Sequence, residues 1–199
     1  MASPRAWQRM LSGRRLNLLD PSPLDVEIED IAQGLSRVAR WNGQTSGDWA
    51  YSVAQHSLLV EDLVRRLKPD LERRWLLAAL LHDAPEYVVG DMITPFKSAI
   101  GPDYKALENR LLAAIHLRFG LPAVTPRDLT RSIKRADKAA AYLEATQLAG
   151  FSPSESKRLF GSAVAGEEIT LIPMEPDRAK ATFIERFIQL SEQPGFTAS

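Results

Sequence analysis

From Trp75 to Leu81 the chain reads WLLAALL, an unbroken run of apolar residues. Wound as a helix, that run is apolar nearly all round, and a helix of this kind is stable only when other elements cover it. Those covering elements are helices as well. Hydrophobic alternation with β-branched residues is confined to EEITLIP at 167–173, whereas apolar spacing of three and four recurs throughout. The expected fold is therefore all-α, a compact bundle of about six or seven helices wrapped around a central helix at 71–83.

The flanking helices follow from periodicity and punctuation. Val26, Ile28, Ile31, Leu35 and Val38 give a first helix over 28–38, and NGQTSGDWAY at 42–51 is a loop. Ser52 is placed to cap a second helix reaching 67, with Gln55 answering it as the other half of a capping box. Pro69 breaks the chain before the central helix, and a fourth helix spans 104–119 and stops at Gly120. Thr125 and Pro126 read as the cap and first position of a fifth helix, which reaches about 148 and closes at Gly150. A Gly, Ser and Pro-rich irregular connection comes next. Ala179, Phe183, Phe187 and Leu190 then mark a last helix, followed by a frayed tail, QPGFTAS. With 199 residues and no internal repeat, we expect one domain over 1–199: a core at 28–150, an N-terminal arm at 1–24, and a C-terminal connection and helix at 151–199.

Composition removes several classes of function. Lys plus Arg and Asp plus Glu are both 25, for a net charge of +0, so a broad face for a nucleic acid polymer is not expected. There is no cysteine, which leaves neither a disulfide framework nor a thiolate metal site. The start, MASPRAWQRMLSGRR, lacks the apolar core of a secretory signal, and no stretch is long and apolar enough to span a bilayer. The expectation is a soluble, cytoplasmic protein with no membrane partner.

Polar residues interrupt the apolar stripes at informative places. His56 lies in line with Val53, Val60, Leu63 and Leu67; His82 is in line with Leu71, Trp75 and Ala78, with Asp83 one step round. Asp137 is aligned with Ile133, Ala140, Ala141 and Leu148, which would bury an aspartate among small apolar side chains. Singly, each has a structural explanation, such as a histidine bonded to a carbonyl or an aspartate paired with Arg131 or Lys134. Together, four inward ionisable groups on three helices carry a large desolvation cost, which one shared divalent cation would remove. Two imidazoles and two carboxylates suit Mn, Fe, Co, Ni or Zn, and ligands drawn from separate helices leave positions open for water and substrate. The third histidine, His116, fits a surface place near a helix end.

The order His56, then the His82–Asp83 doublet, then Asp137 resembles the HD superfamily of metal-dependent phosphohydrolases. Over about 28–150 the chain is most similar to the bacterial HD-domain 5′-deoxynucleotidases. The shared motifs are "RW" at Arg40 and Trp41, "HDAxE" ending at Glu86, "GD" at Gly90 and Asp91, and "TP" at Thr94 and Pro95 ahead of Lys97. The resemblance implies that His56, His82, Asp83 and Asp137 hold one divalent transition metal. It also implies that Glu86 and Asp91 handle protons beside the attacking water, and that Arg40, Trp41 and Lys97 receive a small nucleotide. By the same resemblance the protein is a homodimeric hydrolase of 5′-nucleoside monophosphates. Triphosphate release from a deoxynucleotide, or cleavage of a cyclic nucleotide or an alarmone, is the alternative within hydrolases, and a non-catalytic nucleotide sensor is the alternative outside them. The loop NGQTSGDWAY departs from those nucleotidases and bears on which substrate is preferred.

Overall fold

The structure, a computed structural model, describes residues 6–92, 102–161 and 169–191. The central segment forms α3 (Arg73–Leu80), in which Leu76 through Leu80, and Leu81 just beyond, are all buried. It lies against α2 (Val53–Leu67) and the C-terminal α8 (Pro176–Ser191). Phe183 and Phe187 of α8 are buried in that contact, so they belong to the core of the chain itself. Around this centre stand α1 (Ile28–Leu35), the short α4 (Glu86–Val89), α5 (Pro102–Arg118), α6 (Arg127–Gln147) and α7 (Pro153–Phe160). α1 packs on α4 and α8, and α6 packs on both α2 and α7. The expected all-α class holds, with eight helices among the described residues. No helix among them is long and apolar enough to cross a membrane.

The N-terminal arm carries the strands that periodicity did not reveal. β1 (Trp7–Arg9) and β2 (Arg15–Asn17) pair antiparallel, with Gln8 opposite Leu16. Strands this short hold too few residues for alternation to be legible. Leu16 is fully buried, and the amide and hydroxyl of Ser12 both donate to the Asp30 carboxylate on α1, which fastens the hairpin to the bundle. Leu11, by contrast, is exposed.

Several boundaries differ from expectation, each for a local reason. α1 stops at Leu35 because Val38 O accepts from Val53 and the Arg40 amide donates to Tyr51 O, drawing 38–40 into an extended bridge. Ser52 caps α2 as expected, but the Gln55 side chain does not complete a capping box. Its amide nitrogen donates to Ile172 O and its oxygen accepts from the Met174 amide, so it clasps the segment before α8. Thr125 does not cap α6, whose N-cap is Pro126. The connection after Gly150 is not wholly irregular, since Ser152 and Glu155 form a capping box that starts α7. EEITLIP forms no strand over its described part, 169–173, and the tail QPGFTAS lies outside the described residues.

Candidate metal centre

α3 does not run through the His-Asp doublet. It ends at Leu80, and 81–85 form a tight turn before α4. Pro85 lacks the amide proton that a continued helix would place on Leu81 O, and its ring disfavours helical backbone just before it. The turn is closed by the Ala84 amide on Leu81 O and the Glu86 amide on Asp83 O. One consequence is that Ala79 O is available to His82 Nδ1, at 2.9 Å. That bond makes Nδ1 the protonated nitrogen and leaves the Nε2 lone pair free to act as a ligand.

His56 is fixed in the same sense by a different partner. It sits fully buried in the first turns of α2, with Nδ1 2.6 Å from Glu144 Oε1 on α6. The two imidazole rings are 5.4 Å apart between centroids. The Nε2 atoms of both are buried, and neither makes a hydrogen bond. One atom each from His56, His82 and Asp137 lie within 4.8 Å of one another. Asp83 joins them: its Oδ2 stands 3.1 Å from His82 Nε2 and 3.4 Å from His56 Nε2, while Asp137 Oδ1 is 3.2 Å from His56 Nε2. Two lone-pair nitrogens facing carboxylate oxygens, with both Nδ1 atoms already committed, form a donor set that a divalent cation fits. Asp137 departs from expectation in one respect, since its side chain is 42% exposed rather than buried. The small residues buried on α6 are Ala136, Ala139, Ala140 and Ala145, and Asp137 lies partly exposed beside the first three.

Charge is balanced tightly here. Burial favours neutral carboxyls, but the imidazoles outweigh it and hold Asp83 well below the usual range and Asp137 below it. For His56, burial and the Arg40 guanidinium oppose protonation, yet Glu144, Asp137 and Asp83 prevail and raise it well above the ordinary value. Glu86 is buried at the first turn of α4. Arg40 and Trp41, expected to meet substrate, are brought against carboxylates. Arg40 Nη1 donates to Asp91 Oδ2 at 3.1 Å, and its Nε donates to Glu144 Oε2 at 3.2 Å. Trp41 Nε1 donates to the same Glu144 oxygen at 2.9 Å, and its ring packs against Phe151 and Phe160. Trp41 and Asn42 also have left-handed backbone, at φ 56° and 50°, a conformation that asparagine tolerates but that is uncommon for a bulky residue such as Trp41. Lys97, Thr94 and Pro95 lie outside the described residues.

Sequence reasoning missed Glu144. Two turns after Asp137 and one before Leu148, it continues the inward stripe of α6, and that position in an apolar row is the signal that could have found it. His116 was misread in the opposite direction. It is 2% exposed, its Nδ1 lies 3.1 Å from Pro122 O, and burial lowers its basicity. The chain beyond Gly120 folds back, with the Leu121 amide on His116 O, and covers it. An open cavity of about 440 Å³ lined by Arg131, Lys134, Arg135, Lys138, Phe160 and Gly161 contains none of the candidate ligands.

Comparison with known proteins places this arrangement. A family model described as HD domain matches residues 53–142, the span that holds His56, His82, Asp83 and Asp137. An uncharacterised protein of Rhodobacter capsulatus is 63% identical over 186 residues, covering 92% of this chain and 94% of its own length. The uncharacterised protein YfdR of Escherichia coli K12 is 34% identical over 168 residues, covering 84% of this chain and 86% of its own. Among solved structures, the HD phosphohydrolase DatZ of cyanophage S-2L, bound to dA and one catalytic Zn2+ ion, shares the fold. It superimposes with a TM-score of 0.51 and 20% identity over 83% of this chain and 96% of its own. A helical bundle in which the family's matched span carries the two imidazoles and the doublet identifies the chain as an HD-domain protein.

Proposed function

We propose that this protein is a metal-dependent phosphohydrolase that converts a 5′-(deoxy)nucleoside monophosphate into nucleoside and phosphate. The observation that carries the reading is the pair of buried imidazole Nε2 atoms without hydrogen bonds, facing Asp83 and Asp137. Leaving such groups in the interior with nothing to bind is costly, and a cation removes that cost. Bound there, a divalent ion supplies Lewis acidity and a lowered water pKa. The native ion is one of Mn, Fe, Co, Ni or Zn; that the fold neighbour binds one catalytic Zn2+ together with dA is consistent with a single ion beside a small deoxynucleoside pocket.

The residues divide the work as follows. His56 and His82 offer lone pairs, and Asp83 and Asp137 offer negative charge. Water attacks phosphorus, the bond from phosphorus to the 5′ oxygen breaks, and the proton lost by the water ends on the departing oxygen. Glu86 and Asp91 are the carboxylates that hold and move that proton. Arg40 and Lys97 bring positive charge for phosphate oxygens, and Trp41 offers an aromatic wall.

The test is a panel of nucleoside mono-, di- and triphosphates and cyclic nucleotides assayed with Mn2+, Co2+, Mg2+ and Zn2+, with the phosphorus-containing product identified. Inorganic phosphate from monophosphates is the expected outcome; tripolyphosphate or a linearised nucleotide would replace it with the corresponding reaction. Glu86→Gln should lower turnover by about 10²–10⁴ while the bound metal is retained. No turnover of any nucleotide by metal-loaded wild type would leave a nucleotide sensor as the better account.

A further inference from the structure

Resting on that reading, we propose that Glu144 is the positioning residue of the metal centre: it holds His56 in its ligand orientation and ties it to Arg40, Trp41 and, through Arg40, Asp91. Its carboxylate is completely buried, and both oxygens are engaged. Oε1 takes His56 Nδ1 at 2.6 Å. Oε2 accepts from Trp41 Nε1 at 2.9 Å and from Arg40 Nε at 3.2 Å, and lies 3.1 Å from Arg40 Nη2.

The two imidazoles are therefore held unequally. A neutral carbonyl, Ala79 O, holds His82, whereas a carboxylate holds His56. A carboxylate acceptor makes the imidazole the stronger donor toward a cation and fixes both its tautomer and its plane. The same carboxylate anchors the left-handed turn at Trp41, so one side chain sets the place of a ligand and of the pocket wall together. Arg40 extends this to Asp91, whose Oδ2 it holds at 3.1 Å. A residue that merely filled space would not need three different donors converging on two oxygens.

Removing the side chain outright leaves Arg40 and His56 without their counter-charge and endangers folding. Glu144→Gln is the better probe, because a carboxamide keeps the volume but offers one acceptor oxygen and no charge. Glu144→Asp keeps the charge but shortens the side chain by one methylene, which draws the carboxylate back from His56. Full-length wild type, both variants and Trp41→Phe are titrated calorimetrically with Zn2+ and Mn2+, and the His56 Nδ1–H proton resonance is recorded with and without Zn2+. Glu144→Gln and Glu144→Asp should each weaken cation affinity about 10–100-fold, while Trp41→Phe, which leaves the His56 contact intact, should stay within about threefold. The far-downfield Nδ1–H signal should move upfield in both Glu144 variants and remain in Trp41→Phe. Wild-type affinity in Glu144→Gln, or an equal loss in Trp41→Phe, overturns the proposal alone. Wild-type protein that takes up neither cation overturns the hydrolase reading and this proposal with it.

Discussion

Asp83 is the residue on which the centre turns, because one of its oxygens faces both imidazoles, at 3.1 and 3.4 Å. Asparagine there keeps the shape and loses the charge. We expect Asp83→Asn to weaken Zn2+ binding by more than the about 10–100-fold typical of an outer partner, measured by titration of the purified protein. Unchanged affinity would remove Asp83 from the ligand set. At this scale the sequence was legible wherever an ionisable side chain broke an apolar stripe of its own helix, which is why His56, His82 and Asp137 could be picked out. Glu144 breaks a stripe in the same way, but its meaning depends on His56, 88 positions away, and on donors at 40 and 41. His116 misled because its cover, the return of 121–122, is a tertiary event that a helix-end pattern does not contain.

Elements place these residues, and Gly34 on α1 shows how closely. A Cβ built there would stand 2.7 Å from Tyr87 Cβ and 2.9 Å from Tyr87 O, contacts with α4 one residue beyond Glu86. Alanine normally stabilises a helix relative to glycine by about 1 kcal/mol. Here the close approach of backbone overrides propensity, and Gly34→Ala should destabilise the protein by about 1–3 kcal/mol in denaturant melts and lower turnover by displacing Glu86. A more stable, fully active variant would show that α4 yields without consequence. Helix existence was readable from periodicity, since burial of one face enforces it; ends were not, because α1 is cut short by bridging to 51–53 and α3 by Pro85. α7 was hidden by its own composition. Ser152, Pro153 and Ser154 look like a loop, yet they are the cap and first positions of a helix whose Glu155 answers Ser152.

For the whole molecule, cation binding and folding are linked through the charge gathered at the centre. Burial opposes ionisation of Asp83, Asp137 and Glu144, but the imidazoles, and Arg40 for Glu144, hold all three below the ordinary range. Stability from such groups is present above their unfolded values, near pH 4, and is lost as pH falls through the lowered folded values. His56 has the opposite sign. Burial and Arg40 disfavour its proton, yet the three carboxylates raise its value well above 6.5, so its contribution is full below that pH and fades as pH rises through the raised value. The raised His56 value means that a proton competes with a cation for Nε2. Zn2+ or Mn2+ affinity should then rise with pH, with proton release on binding read by calorimetry in buffers of different ionisation enthalpy. At a hundredfold excess over Kd the ion should add about 2.7 kcal/mol of stability. For a chain of this size that is a rise in Tm of about 5–11 °C, reversed by chelator. A melting temperature indifferent to both cation and chelator, with no proton release, would mean that the two imidazoles and their carboxylates satisfy one another and have no ion to hold.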